Sequence, residues 1–285
     1  MKKLLISLVS VMFMFTLAAC SETADPVDSK VKPQKKDSLT LKEVFEKTTD
    51  ASKNLKSVHM DMDLKQEMTA PSQPTPMNIN SNMSIDMVLN PLAMYQKMKM
   101  NVEGGDDATQ NQAMDMESYL TKEGFFLYDP ASKQWMQMPE ELSKQILQMP
   151  EQQANPAEQL KQLQQFTDDF SFKQDDNQYI LNLKASGEKF DQFLKENAKQ
   201  MMPDGLKENA DALNNITFKN VNYEIFIDKK TFNVNSLNMT QEMEMAMEGQ
   251  KINLKQEMKG TYSNYNKVNE IKVPKEVKDT AKKIN

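Results

Sequence analysis

The sequence predicts an α+β protein, a long antiparallel meander interrupted by helices. Three observations carry this reading. Apolar residues recur at every second position through much of the chain, shorter stretches show a period near 3.6, and Pro, Gly, Asn and Asp punctuate the joints.

Lys2 and Lys3 open the chain, and Leu4 to Leu17 form an apolar run too short to serve as a permanent membrane span. This is the pattern of a signal peptide over residues 1–19. The run ends in Leu17-Ala18-Ala19-Cys20, which resembles a bacterial lipobox. The resemblance implies cleavage before Cys20, acylation of its sulfur, and anchorage to the outer face of the cell membrane. Each buried acyl methylene contributes about 0.8 kcal/mol, so two or three chains hold a domain there durably. Residues 20–37 read as the acylated cysteine and a flexible tether, polar and interrupted by Pro26 and Pro33.

The ordered domain is expected over 38–278, with 279–285 as a tail. Ser38 or Thr40 can cap a first helix carrying Leu41, Val44, Phe45, Thr48 and Leu55. The period then changes to two. Val58, Met60, Met62, Leu64 and Met68 alternate with His59, Asp61, Asp63 and Lys65, predicting a strand with one apolar face. Further strands follow at Met77 to Leu89, Leu92 to Val102, Met114 to Leu120, Phe125 to Tyr128 and Gln134 to Met138, joined at Asn90-Pro91, Lys122-Glu123-Gly124 and Asp129-Pro130. Glu140 to Met149 and a segment from Asn155-Pro156 read as helices, the latter with Leu160, Leu163 and Phe166 on its apolar side. Strands return at Phe170 to Phe172 and Tyr179 to Leu183. A helix from Ser186 stops at Pro203, and a shorter one covers Leu206 to Leu213. Ile216 to Ile227, Phe232 to Met247 and Ile252 to Tyr265 close the meander. The segment Leu64 to Met68 recurs identically as Leu254 to Met258, but no fixed period accompanies it, so no repeat is inferred.

Composition narrows the function. The chain has 35 basic and 41 acidic residues. Residues 1–19 hold Lys2 and Lys3 and no acid, so the remainder carries a charge of about −8. There is no arginine, and with that acidic balance nucleic acid is not expected as a partner. The one cysteine cannot form an internal disulfide. Catalysis has no constellation to rest on: one histidine, no free thiol beside it, no Gly-rich phosphate loop. No catalytic residue, cofactor or metal is assigned. The pairs Asp106-Asp107, Asp168-Asp169 and Asp175-Asp176 lack an oxygen-rich loop long enough for Ca²⁺ and read as hydrophilic turns.

Several stretches carry a family resemblance: Tyr119-Leu120-Thr121-Lys122 through Trp135-Met136-Gln137-Met138-Pro139, Ile227-Asp228-Lys229-Lys230-Thr231, Tyr262-Ser263-Asn264-Tyr265-Asn266 and Ile271-Lys272-Val273-Pro274. With the lipobox, tether, first helix and meander, they make the chain similar to LolA-like lipoproteins, in a Gram-positive branch of uncharacterised surface lipoproteins. That resemblance implies a curved antiparallel sheet forming an open half-barrel with helices across its concave side, around a hydrophobic cavity. The residues suggest its lining. The chain has 24 methionines, mostly at single-parity strand positions, and methionine moulds itself to varied apolar partners. Met62, Met83, Met87, Met98, Met100, Met243 and Met245 are the expected lining of a site for a lipid or acyl chain. Two other readings stand beside it. The half-barrel is packed solid and serves as an interaction module, or its Met-x-Met pairs, such as Met98-Lys99-Met100 and Met243-Glu244-Met245, hold Cu(I). His59 has the opposite parity from Met60 and Met62 and could not join such a site without a bulge.

Overall fold

The computed structural model describes residues 24–27, 39–71, 75–104, 112–148, 155–201, 213–247 and 250–284. Cys20, the signal segment, most of the tether, Asp106-Asp107 and all but the last residue of the helix expected at Leu206 to Leu213 lie outside them.

The described strands form one sheet. In chain order they are β1 (Asp25–Pro26), β2 (Ser57–Thr69), β3 (Met77–Leu89), β4 (Leu92–Gly104), β5 (Gln112–Thr121), β6 (Gly124–Asp129), β7 (Gln134–Gln137), β8 (Phe170–Gln174), β9 (Gln178–Ser186), β10 (Ile216–Asp228), β11 (Val234–Met247), β12 (Gln250–Ser263) and β13 (Lys282–Lys283). Their order across the sheet is β1-β8-β9-β10-β11-β12-β2-β3-β4-β5-β6-β7-β13. All pairings are antiparallel except the two at the rims, where β1 lies parallel to β8 and β13 parallel to β7. The sheet is an open, curved half-barrel with helices on its concave side. The N-terminal segment meets the C-terminal one across the middle, since β12 pairs with β2 from His59 to Thr69.

Helix α1 (Leu41–Ser52) starts where a capping box predicts. The Thr40 hydroxyl accepts from the Glu43 amide at 3.2 Å, and the Glu43 carboxylate accepts from the Thr40 amide at 2.8 Å. Its buried face, Leu41, Val44, Phe45 and Thr48, packs on the sheet, with Phe45 edge-on to Phe170 at 5.6 Å. Helix α2 (Glu140–Leu147) lies against β6, where Ser143 Oγ accepts from the Phe125 amide at 3.0 Å. Helix α3 (Pro156–Gln162) is capped by Asn155, whose carboxamide accepts from the Ala157 amide and donates to the Ser52 carbonyl, tying α3 to α1. The chain then tightens into a 3₁₀ turn over Leu163–Asp169, so the apolar side expected of one α-helix is split between two kinds of helix. Helix α4 (Glu188–Met201) places Phe190 against Phe166 at 4.8 Å. A bulge between Phe218 and Asn220 in β10 frees the Phe218 amide, and Asp191 of α4 accepts its hydrogen at 2.8 Å.

The main core lies under these helices, over β8, β9, β10 and the first residues of β2. Phe45, Val58, Leu181, Leu183, Val221, Ile225 and Ile227 are fully buried there. A smaller cluster at the opposite rim joins Phe126 to Val273 and to Val277 of α5 (Lys275–Thr280), a helix the sequence pattern did not announce.

Three stretches differ from the sequence expectation. Ala24 is buried and Asp25–Pro26 pairs with Lys173 and Gln174, so part of the presumed tether is docked on the sheet rim. The presumed tail carries β13 and the end of α5. Strand β11 begins at Val234 rather than Phe232. The Asp228 carboxylate accepts from the Lys230 and Thr231 amides, drawing the turn out to Asn233 and placing Phe232 at φ 56°.

Candidate functional site

The register turns the alternation within single strands into continuous rows across the concave face. One row runs Ile225, Leu237, Gly260, Met62, Met83, Met98, Met116 over β10, β11, β12, β2, β3, β4 and β5. Its neighbour runs Tyr223, Met239, Met258, Leu64, Ser81, Met100, Met114. Gly260 contributes no side chain between Leu237 and Met62. A Cβ there would lie 3.4 Å from the Leu237 carbonyl and 3.9 Å from Met62 Cγ, ordinary contact, so a larger side chain would start without a clash and project over the row.

The expected lining residues all fall on this face. Met62, Met83 and Met98 are direct neighbours in one row, and Met100 stands in the next. Met87 faces Val58 and Met94 in a row nearer the helices. Met243 and Met245 lie farther along, opposite Leu254 and Ile252. Each of the seven is half-buried, unlike the core under the helices. Burial falls along β2 accordingly: Val58 and Met60 are buried, Met62, Leu64 and Met68 are half-buried. Met114, Met116, Met239, Met258 and Gly260 stand in the same rows but were not among the expected lining. Their parity was legible; their neighbours on other strands were not.

Polarity separates the two faces cleanly. At every inward register position from β8 through β5 in sheet order, the side chain is apolar, Gln, Ser or Tyr, and none is Asp, Glu, Lys or His. Burial pushes the hydroxyls of Tyr223 and Tyr262 up to about 12, so these two stay neutral. The outer positions carry the charge: Asp61, Asp63, Lys65 and Glu67 on β2, Lys97 and Lys99 on β4. Glu244, held by Lys219 and Lys251, has its pKa lowered to about 2 on that outer side.

His59 is also on the outer face. Its Nδ1 lies 2.7 Å from Asp86 and its Nε2 3.2 Å from Asp61, so both ring nitrogens are engaged away from the methionines. Beside it, Tyr95 and Tyr119 stack at 4.6 Å and both donate to Glu117. The Asp175 carboxylate accepts from the Asn177 and Gln178 amides and serves its turn. Among the described residues no three of His, Cys, Asp and Glu are grouped to hold a metal ion.

Three clefts lie elsewhere. One of about 370 Å³ sits between the β5–β6 turn, α2 and β13. Another, of about 350 Å³, is lined chiefly by Asp63, Lys65, Asn80, Asn82, Glu257 and Lys259, and a third, of about 340 Å³, by Asp86, Tyr95, Tyr119 and the segment from Asn264 to Lys272. None of the three is lined by Met62, Met83, Met98 or Met116.

Residues 40–282 match the model of the DUF6612 family, described as a family of unknown function. The chain belongs to that family. No curated protein matches it in sequence. Among solved structures it is similar to one titled for lipid–protein interactions in lipovitellin, at 8% identity and a TM-score of 0.34, over 77% of this chain and 26% of that one. It is also similar to a DUF1329 family protein from Desulfovibrio piger (8%, TM-score 0.23, 79% and 93% of the two chains). The S-type phycobiliprotein lyase of Guillardia theta stands at 6% and 0.21, over 79% and 93%. At these scores none of the three bears on what the DUF6612 chain binds. Among the described residues no helix is long and apolar enough to cross a membrane.

Proposed function

We propose that this DUF6612 protein is a non-enzymatic lipoprotein of the LolA-like kind, anchored through Cys20 outside the cell membrane, that holds a lipid or acyl chain on its concave methionine face. The observation that supports it most is the half-buried, uncharged row Met62, Met83, Met98, Met116. A core side chain is closed off by its neighbours, as Val58 and Leu181 are. These methionines keep surface free among inward sheet positions that hold no Asp, Glu, Lys or His, which suits a flexible hydrocarbon. The anchor would keep the face beside its source of lipid, with the charged outer face toward water.

The test is native mass spectrometry and organic extraction of the chain from Ser21 onward, which retains β1 and lacks Cys20, so no lipid mass can be covalent. A co-purifying acyl species near unit stoichiometry is expected. Gly260→Leu, filling the gap in the row, should lower that occupancy several-fold, with thermal unfolding measured alongside to confirm that the variant is folded. An apo mass that persists after incubation with lipid would sink the proposal in favour of a solidly packed interaction module.

A further inference from the structure

The uncharged face is not uniformly apolar. Immediately beyond the row of Met239, Met258 and Leu64 lies another, running Val221, Gln241, Gln256, Gln66, Ile79, Val102. Its three glutamines are neighbours on β11, β12 and β2, all half-buried, and Gln66 Nε2 donates to Gln256 Oε1 at 3.2 Å. Apolar residues flank them on the far side as well, where Phe218, Met243, Leu254, Met68 and Met77 form the next row. A line of amides is thus set within hydrocarbon. Each carboxamide has two donor hydrogens and an acceptor oxygen, and the one mutual bond leaves most of that capacity for other partners.

From this arrangement we infer that the lipid held on the methionine face has an uncharged, hydroxyl-bearing head, of the diacylglycerol class, whose hydroxyl and ester groups bond to Gln66, Gln256 and Gln241. The inference rests on the proposed lipid site. An acyl chain lying on Met62, Met83 and Met98 brings its polar linkage against the adjacent amides. Those amides can donate to ester carbonyls and accept from a hydroxyl. Among the described residues a phosphate would meet no free cation on the sheet, since every Lys of these strands stands on the outer side or in the β10 bulge, and Lys195 of α4, which lies beside Phe218, is paired with Asp191 at 2.7 Å. Moving an anion from water to a half-buried site without a counter-charge costs more than the amides return.

The test uses the full lipidated chain in phosphatidylcholine vesicles that contain either a diacylglycerol or a phosphatidylglycerol, each with a photoactivatable acyl chain, and maps the crosslinked residues by mass spectrometry. Diacylglycerol is expected to label the rows around Met62, Met83 and Met98 roughly tenfold more than phosphatidylglycerol, a preference of about 1.4 kcal/mol. Gln66→Leu with Gln256→Leu should lower diacylglycerol labelling of the rows several-fold while phosphatidylglycerol labelling stays low. Gln256→Lys should reverse the preference by supplying the missing cation. Equal or greater labelling by phosphatidylglycerol in the unaltered chain would overturn the inference and leave the lipid site standing. Undiminished diacylglycerol labelling in the leucine variant, with no reversal in Gln256→Lys, would remove the glutamines from the head site. No labelling of the rows by either lipid would overturn the lipid site itself, and the inference with it.

Discussion

His59 shows how little of a residue's role is carried by its type. As the sole histidine it invited metal or catalytic readings, yet Asp86 and Asp61 occupy its two nitrogens on the outer face. Partial burial works to lower its pKa, but the hydrogen bond to Asp86, the charge of Asp61 and the further pull of both acids outweigh it, and the net shift is upward from 6.5. A group whose pKa is higher folded than unfolded stabilises the fold fully below its unfolded value and loses that contribution as pH rises through the folded one. The urea midpoint should therefore fall as pH climbs from about 6.5 through the raised value, a window above the carboxylate range. His59→Gln should flatten that slope, measured as a series of denaturation curves. An equally steep slope in the variant would mean that another group is responsible. The alternation of His59 with Met60 and Met62 already placed it opposite the methionines; its acid partners, one of them on β3, needed the register.

At the scale of elements, local and distant contacts make different demands. Helix α1 is written into its own sequence, because Thr40 and Glu43 bond each other's backbone within one turn. Thr40→Ala should cost about 1 kcal/mol. Strand β9 depends on its surroundings instead, with Leu181 fully buried between Phe172 on β8 and Ile225 on β10. Leu181→Ala should cost about 2–5 kcal/mol through lost burial and a cavity. Equilibrium urea unfolding of both variants checks the order; a cap variant as damaging as the core variant would contradict it. The same distinction explains which elements were legible. Long strands with strict alternation, β2 to β5 and β10 to β12, and the capped helices could be read directly. Helix α5 could not, since its six residues lack an apolar period and depend on Val277 reaching Phe126 from far along the chain.

For the whole molecule, the open sheet poses a problem at its rims, where unpaired backbone groups invite other chains. Both rims end in two-residue parallel strands borrowed from the ends of the described chain, β1 on β8 and β13 on β7. Val273 and Val277 bury Phe126, Lys278 pairs with Glu123 at 2.7 Å, and the Ile284 amide donates to the Gln137 carbonyl at 2.9 Å. Removing residues 275–285 should leave the main core and its circular dichroism largely intact while uncovering β7. Light scattering should then report concentration-dependent association absent from the intact protein. A truncated chain that stays monodisperse would show that the rim needs no cover.

The sequence by itself determined where the long strands run, which side of each is apolar, and that the chain has no arginine and, with one cysteine, no internal disulfide. These properties follow from nearest neighbours and composition, because a period of two assigns a face within a single strand. Only the tertiary structure decided that Met62, Met83, Met98 and Met116 form one row, that Gln66, Gln256 and Gln241 form another, and that the main core lies where α1 and α4 meet the sheet. Those are matters of register between strands as distant as β2 and β12. Parity is a local property of the backbone, whereas register is chosen by the turns, the bulges and the packing of the sheet as a whole.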